Sequence, residues 1–177
     1  MACSFFIRTT TEGGWRQVRQ LRIENATDNP ISSGATLETT RRMTEEDWRL
    51  RARRGEASDA TSLVAIEQGA PERWIGMMSA QSGDEDGEYP VLTGVYVTPA
   101  FRGRVHGVAD ALLDHVSSWA DGRGQCLRLY VYEHATPARR FYARHGFVNT
   151  GRTRALGFTE GSTLEMVRPL QSGFDAR

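Results

Sequence analysis

Residues 95–113, VYVTPAFRGRVHGVADALL, carry the clearest capacity for chemistry in the chain. A strand pattern stops at Pro99, a loop rich in Arg and Gly follows, and a helical pattern begins near Gly107. Backbone N–H groups in such a loop are free to face an anion, and the helix N-terminus adds roughly half a positive charge. Gly103 and Gly107 bring no side chain to block a phosphate, and Arg102 and Arg104 can supply charge-assisted hydrogen bonds. The chemistry implied is phosphate or pyrophosphate binding. The loop by itself reads equally well as a plain strand–loop–helix turn whose glycines relieve strain. A second stretch, YVYEHATPARRFYARHGF at 130–147, runs a strand into a short helix bearing Phe141 and Tyr142. A buried Tyr needs its hydroxyl paired, and a phenol beside a reacting centre can donate a proton. Ala138, Phe141 and Tyr142 also fit an inward packing face, the plainer reading of that stretch alone.

Other residue types narrow the chemistry. All 22 basic residues are Arg, so Schiff-base Lys chemistry, a Walker-loop Lys and a kinase Lys are excluded. His106, His115, His134 and His145 show no metal-ligand spacing, and two distant cysteines, Cys3 and Cys126, build no Cys-rich metal site; no metal is expected. His115 and His145 are expected on helix surfaces. Cys126 starts a buried strand and has no partner that would stabilise a thiolate, which disfavours covalent catalysis. Unpaired, widely spaced cysteines fit a reducing cytoplasm. The 22 acidic residues balance the charge to zero, against general nucleic-acid binding. No run approaches the ~20 apolar residues of a membrane span, and MACSFFIRTT lacks the basic region and apolar length of a signal peptide.

The elements that must position these groups follow from pattern. A length of 177 residues fits one domain able to bury roughly 70% of its unfolded surface. We expect it to span 1–177, with a core of about 4–170 and a short tail at 171–177. Strands are expected at 4–9, 62–67, 74–81, 91–99 and 126–133, with two more closing the chain. Helices are expected at 11–24 (Thr11 as cap), from Thr44 to Gly55, at 107–121, and from a Thr136–Pro137 cap pair to Gly146. Residues 26–43 read as a long loop with room for a short helical piece. Gly94 inside the fourth strand marks a bulge or a close backbone approach by a ligand. The order β-α-α-β-β-β-α-β-α-β-β defines a mixed α/β domain, α+β in character, with helices on a central sheet.

With both stretches in view, the chain resembles the GNAT superfamily of acetyl-CoA-dependent N-acetyltransferases. That family carries Q/R-x-x-G-x-G/A after its fourth strand, matched here by Arg104, Gly107 and Ala109 and followed by DALL. It also carries a late A-x-x-x-Y-x-x-x-G-F signature, matched by Ala138, Tyr142, Gly146 and Phe147. Three departures stand out. Val105–His106 looks like a two-residue extension, so Arg102 and Arg104 compete for the motif Arg, and Arg104 keeps the spacing to Gly107. Ala135 stands where many relatives place Asn, with His134 a candidate substitute. Val91 stands where relatives often carry a basic Glu.

The resemblance implies a GNAT-like sheet splayed between its fourth and fifth strands. It implies that acetyl-CoA lays its pyrophosphate on the loop from Val105 through His106, Gly107 and Val108 to Ala109, and its pantetheine arm along Val95, Tyr96 and Val97. A backbone N–H near Tyr96 or Val97 would stabilise the oxyanion, and Tyr142 would protonate the departing thiolate. For the general base the candidates are Glu38, Glu88 or ordered water; each carboxylate also reads as a plain solvated group. The implied function is acetyl transfer to a primary amine of a small molecule, in a cytoplasmic and, from its Arg-only basic content, bacterial protein. A protein Lys or N-terminal acetyltransferase and a non-catalytic acyl-CoA sensor are the alternatives. Many relatives are homodimers; no membrane or nucleic-acid partner is implied.

Overall fold

The computed structural model describes residues 4–31, 35–69 and 71–171. Cys3 and nearly all of the expected tail lie outside the described residues. The chain forms β1 (Phe5–Thr9), α1 (Trp15–Asp28), α2 (Leu37–Arg42), α3 (Glu45–Arg53), β2 (Ala60–Glu67), β3 (Arg73–Gln81) and β4 (Val91–Val97). It continues with α4 (Val108–Ala120), β5 (Cys126–Tyr132), α5 (Thr136–Arg144), β6 (Val148–Ala155) and β7 (Ser162–Pro169). The expected order holds, with α2 as the short helical piece in the 26–43 loop.

Local chemistry explains most boundaries. Thr44 and Asp47 form a reciprocal capping box on α3, worth about 1 kcal/mol. Gly55 follows for a reason the sequence conceals: a Cβ there would stand 2.1 Å from the Thr10 carbonyl oxygen, so it permits a backbone contact. Two expected caps are corrected. Thr11 starts a 3-10 turn and makes no side-chain cap bond. α5 is capped by Ala135, so Thr136 and Pro137 are its first two residues.

The seven strands form one mixed sheet in the order β1-β2-β3-β4-β5-β7-β6. α4 and α5 cover one face: Leu112, Leu113, Val116 and Tyr142 pack with Ile75, Met78, Leu92, Leu127, Leu129 and Val131. α1 and α3 cover the other over β2 and β3, packing Val18, Leu21 and Trp48 on Val64, Ile66 and Met77. Strand alternation therefore turns Arg128 and Tyr130 of β5, and Glu165 of β7, to the α1 face of the sheet. That face of β5 and β7 is polar. No helix among the described residues is long and apolar enough to cross a membrane.

One junction departs from a regular sheet. β4 and β5 run parallel, and their register holds a single pair, Val91 with Arg128. Beyond it the two strands separate. On its other side β4 is bulged: Met77 pairs with Tyr96 but Ser79 pairs with Thr93, leaving an extra residue around Gly94. Gly94 takes φ +62°, the left-handed region where L side chains are strained.

Candidate active site

The split puts main-chain groups where no neighbouring strand uses them. Thr98 N–H donates to the Ile75 carbonyl at 2.9 Å. Alternation then aims Tyr96 and Thr98 main-chain groups at β3, and those of Val95 and Val97 at the gap toward β5. The Val97 carbonyl accepts a hydrogen bond from Arg102 Nε at 2.8 Å, consistent with its facing away from β3. Of the two amides considered for an oxyanion, that of Val97 faces the gap and that of Tyr96 faces β3.

The loop after β4 is built by its two extra residues. Gly103 O accepts from His106 N–H at 3.2 Å and Gly107 N–H at 3.3 Å, so the extension closes into a turn. Within the expected run of donors, the amides of His106 and Gly107 bond inside the loop. Those of Val105, Val108 and Ala109 are not engaged by it, and the first bond of α4 is Ala111 N–H to Gly107 O at 3.0 Å. Gly107 caps the helix in the left-handed region at φ +67°, and Gly103 has φ +95°. A Cβ on either would meet nothing within 4 Å, so backbone conformation rather than crowding calls for glycine here.

The competing arginines separate cleanly. Arg102 pairs with the Asp28 carboxylate, bonds Val97 O and lies over the Tyr96 ring at 5.5 Å. Arg102 thus ties the end of α1 to β4. Arg104 is exposed and has no ion pair or hydrogen bond among the described residues. Val105 is exposed beside it. His106 is turned inward against Phe101, with Nδ1 buried and unpartnered.

Tyr142 is buried on α5 between Phe141 and Phe147, in the apolar cluster that also holds Val97, Val108 and Val131. Its hydroxyl has no hydrogen-bond partner among the described residues. Burial pushes the phenol well above its ordinary value, so it keeps its proton through neutral and mildly alkaline pH.

The remaining candidates scatter. Glu38 is exposed on α2 and bound to Arg42 at 2.5 Å, one turn along the same helix. Glu88 is exposed on the acidic turn. His115 lies on the helix surface, as expected. His145 does not: it packs on Phe141 with Nε2 2.8 Å from Asp110. His134 is exposed and stacks edge-on with Tyr132. Burial raises the Cys126 thiol, which holds it in the unreactive form.

Three groupings escaped the sequence. Tyr96 donates from its hydroxyl to Glu24 of α1 at 2.9 Å, and burial and that carboxylate push the phenol up. Arg22 of α1 reaches the bulge: a Cβ on Gly94 would lie 3.2 Å from its Nη1. Arg128 is buried, bonded to Asp84 at 2.7 Å and to Tyr130 Oη at 3.3 Å. Tyr130 in turn donates to Asp86 at 2.7 Å. Glu24 and Arg22 look like ordinary helix-surface residues; the only available pointer was Gly94. The Arg128 network was foreshadowed by the alternation Leu127-Arg128-Leu129-Tyr130-Val131.

A seven-stranded mixed sheet, splayed at its one parallel junction and continued into a helix N-terminus beside a free arginine, defines an acyltransferase-type fold. The profile of the Acetyltransferase (GNAT) family matches residues 15–147, and the chain belongs to that family. No curated protein sequence matches it. Among solved structures, it is similar to the GNAT acetyltransferase of Streptococcus pneumoniae, with 17% identity, 94% of this chain and 99% of that one covered, and a TM-score of 0.77. It is similar to yncA, a putative acetyltransferase from Salmonella typhimurium with its cofactor acetyl-CoA: 16% identity, 98% of each chain, TM-score 0.76. Arabidopsis thaliana NAA60, in complex with a bisubstrate analogue, matches at 19% identity over 96% of this chain and 100% of that one, with a TM-score of 0.70. At such identities the likeness speaks for the fold.

Proposed function

We propose that the protein moves an acetyl group from acetyl-CoA directly to a primary amine of a small molecule. The observation that carries this reading is the loss of β4–β5 pairing beyond Val91 and Arg128, which leaves the Val95 and Val97 main chain facing a gap. The residues present fit the carrier: amides left over at the helix start, an Arg104 unengaged among the described residues, and the hydroxyl of the buried Tyr142, likewise without a partner among them. Acetyl-CoA supplies, when bound, an acyl group already activated as a thioester.

The chain's own groups then have definite tasks. The amides of Val105, Val108 and Ala109, with Arg104, hold the diphosphate. The open edge of Val95 bonds the amide-bearing arm as a neighbouring strand would. Val97 N–H stabilises charge developing on the carbonyl oxygen, an effect of roughly 3 kcal/mol per donor in other enzymes. Tyr142 Oη gives its proton to the departing thiolate. An acceptor amine with a Lys-like pKa of ~10 must shed a proton first. Glu24 touches β4 through the Tyr96 hydroxyl and takes that proton in this reading, whereas Glu38 is solvated and paired with Arg42.

Calorimetry with coenzyme A, followed by a free-thiol assay with acetyl-CoA and an amine panel, tests the proposal. Binding plus thiol release with small amines is the expected result. Modification of proteins alone would favour a protein acetyltransferase, and binding without any transfer a non-catalytic sensor. No binding at all would remove the reading.

A further inference from the structure

Arg22 holds a position that folding alone does not explain. Its guanidinium lies against the β4 bulge, 3.2 Å by Nη1 and 3.6 Å by Cζ from where a Gly94 Cβ would stand. Nη1 is buried and has no hydrogen-bond partner. Burial first, and then the charges of two more cations, Arg51 and Arg54, push Arg22 down to about 10. No carboxylate pairs with any of the three among the described residues. Arg51 is held over the Trp48 ring at 5.8 Å, and Arg54 by the Gln81 side chain at 3.0 Å. The floor beneath is polar: Ser79 and Ser62 share a hydroxyl hydrogen bond of 3.1 Å, and Ser79 Oγ lies 3.5 Å from the same Gly94 position.

A buried charge without a counter-charge is strongly unfavourable, and neighbouring like charges make it worse. A guanidinium with a buried, unpartnered Nη1 against the bulge, and two further cations in its field, describes a site that an anion completes. The guanidinium fork matches a carboxylate in two-point geometry. The location is informative as well. The bulge is where β4 leaves β5, so an anion at Arg22 leaves the rest of its molecule at the gap lined by Val95 and Val97. On the same sheet face β5 presents Tyr130 and, one strand beyond, β7 presents the buried Glu165, which accepts from Thr150 at 2.9 Å and faces Arg128 at 3.9 Å.

We propose that Arg22, backed by Arg51 and Arg54, receives the carboxylate of the acceptor, so that the substrate class is an amino acid rather than a polyamine or an uncharged amine. The proposal rests on the acetyltransferase reading and narrows its acceptor.

The test uses the full chain, wild type and Arg22→Met. Calorimetry on protein saturated with coenzyme A compares the twenty amino acids with their carboxamides, and with diamines. At least one amino acid should bind tenfold or more tightly than its carboxamide, and Arg22→Met should erase that difference. Equal binding of acid and amide, binding of diamines alone, binding of none of the panel, or a difference that survives in Arg22→Met would each overturn the proposal. Thermal unfolding without ligand gives a second readout. Removing an unpaired buried charge should leave the melting temperature at or above that of wild type. A lower value would make Arg22 structural and overturn the proposal as well. Failure of coenzyme A itself to bind would instead strike the transferase reading.

Discussion

Replacing Tyr142 by Phe separates catalysis from packing. The ring keeps its contacts with Phe141 and Phe147, and only the hydroxyl goes. A hydrogen bond normally contributes about 1 kcal/mol, but this hydroxyl has no partner among the described residues, so nothing of that kind is lost. Relief of its desolvation gives a stability change between zero and about +1 kcal/mol, a melting shift of roughly 0 to 4 °C for a chain of this size. As the acid serving the departing thiolate, Tyr142 should contribute about 10²–10⁴ in rate, or roughly 2.7–5.5 kcal/mol of barrier. Thermal unfolding and single-turnover thiol release on the same preparation measure both quantities. A fall in stability with unchanged turnover would refute the reasoning and return Tyr142 to packing. The pH dependence adds a sign. The unfolded phenol ionises near its ordinary value of 10, while burial holds the native one protonated above that. The unfolded state then binds fewer protons, so wild-type stability falls as pH rises beyond about 10. Tyr142→Phe removes its share, and the loss in that window should be shallower.

Other substitutions probe the frame. Arg104→Gln should raise the KM for acetyl-CoA about tenfold with little change in kcat or stability, as measured by steady-state kinetics. Arg102→Gln, which unties Asp28 from β4, should instead lower the melting temperature by a few degrees, the equivalent of about 1 kcal/mol. Gly94→Ala forces an L side chain to φ +62°, at about 1–2 kcal/mol, and weakened coenzyme A binding in calorimetry should accompany the drop in denaturant midpoint. Gly55→Ala presses a Cβ to 2.1 Å from the Thr10 carbonyl oxygen; denaturant unfolding should show a loss of about 3 kcal/mol, at the upper end for overpacking.

Much of the fold was readable because its signals are local. The capping box at Thr44, the apolar face at Leu112, Leu113 and Val116, and the alternating, Tyr-containing run at 126–132 each act within one element. The loop between β4 and α4 was readable for the same reason, since a strand end, glycines and a helix start are consecutive. Its donor list was not. Whether the His106 and Gly107 amides face outward depends on how the two extra residues fold back onto Gly103. The contest between Arg102 and Arg104 was equally closed to the sequence, because Asp28, which takes Arg102, lies 74 positions away.

What the sequence determined is the set of elements and their order, because periodicity, caps and glycine spacing are properties of neighbouring residues. What only the tertiary structure decided is which groups are left without partners. Among the described residues, the Val97 amide is free because β5 diverges, the Tyr142 hydroxyl because the side chains packed on its ring are apolar, and Arg22 Nη1 because α1 carries it to a bulge where no acid pairs with it. An unmet hydrogen bond or charge is a relation among distant segments, and folding alone creates it.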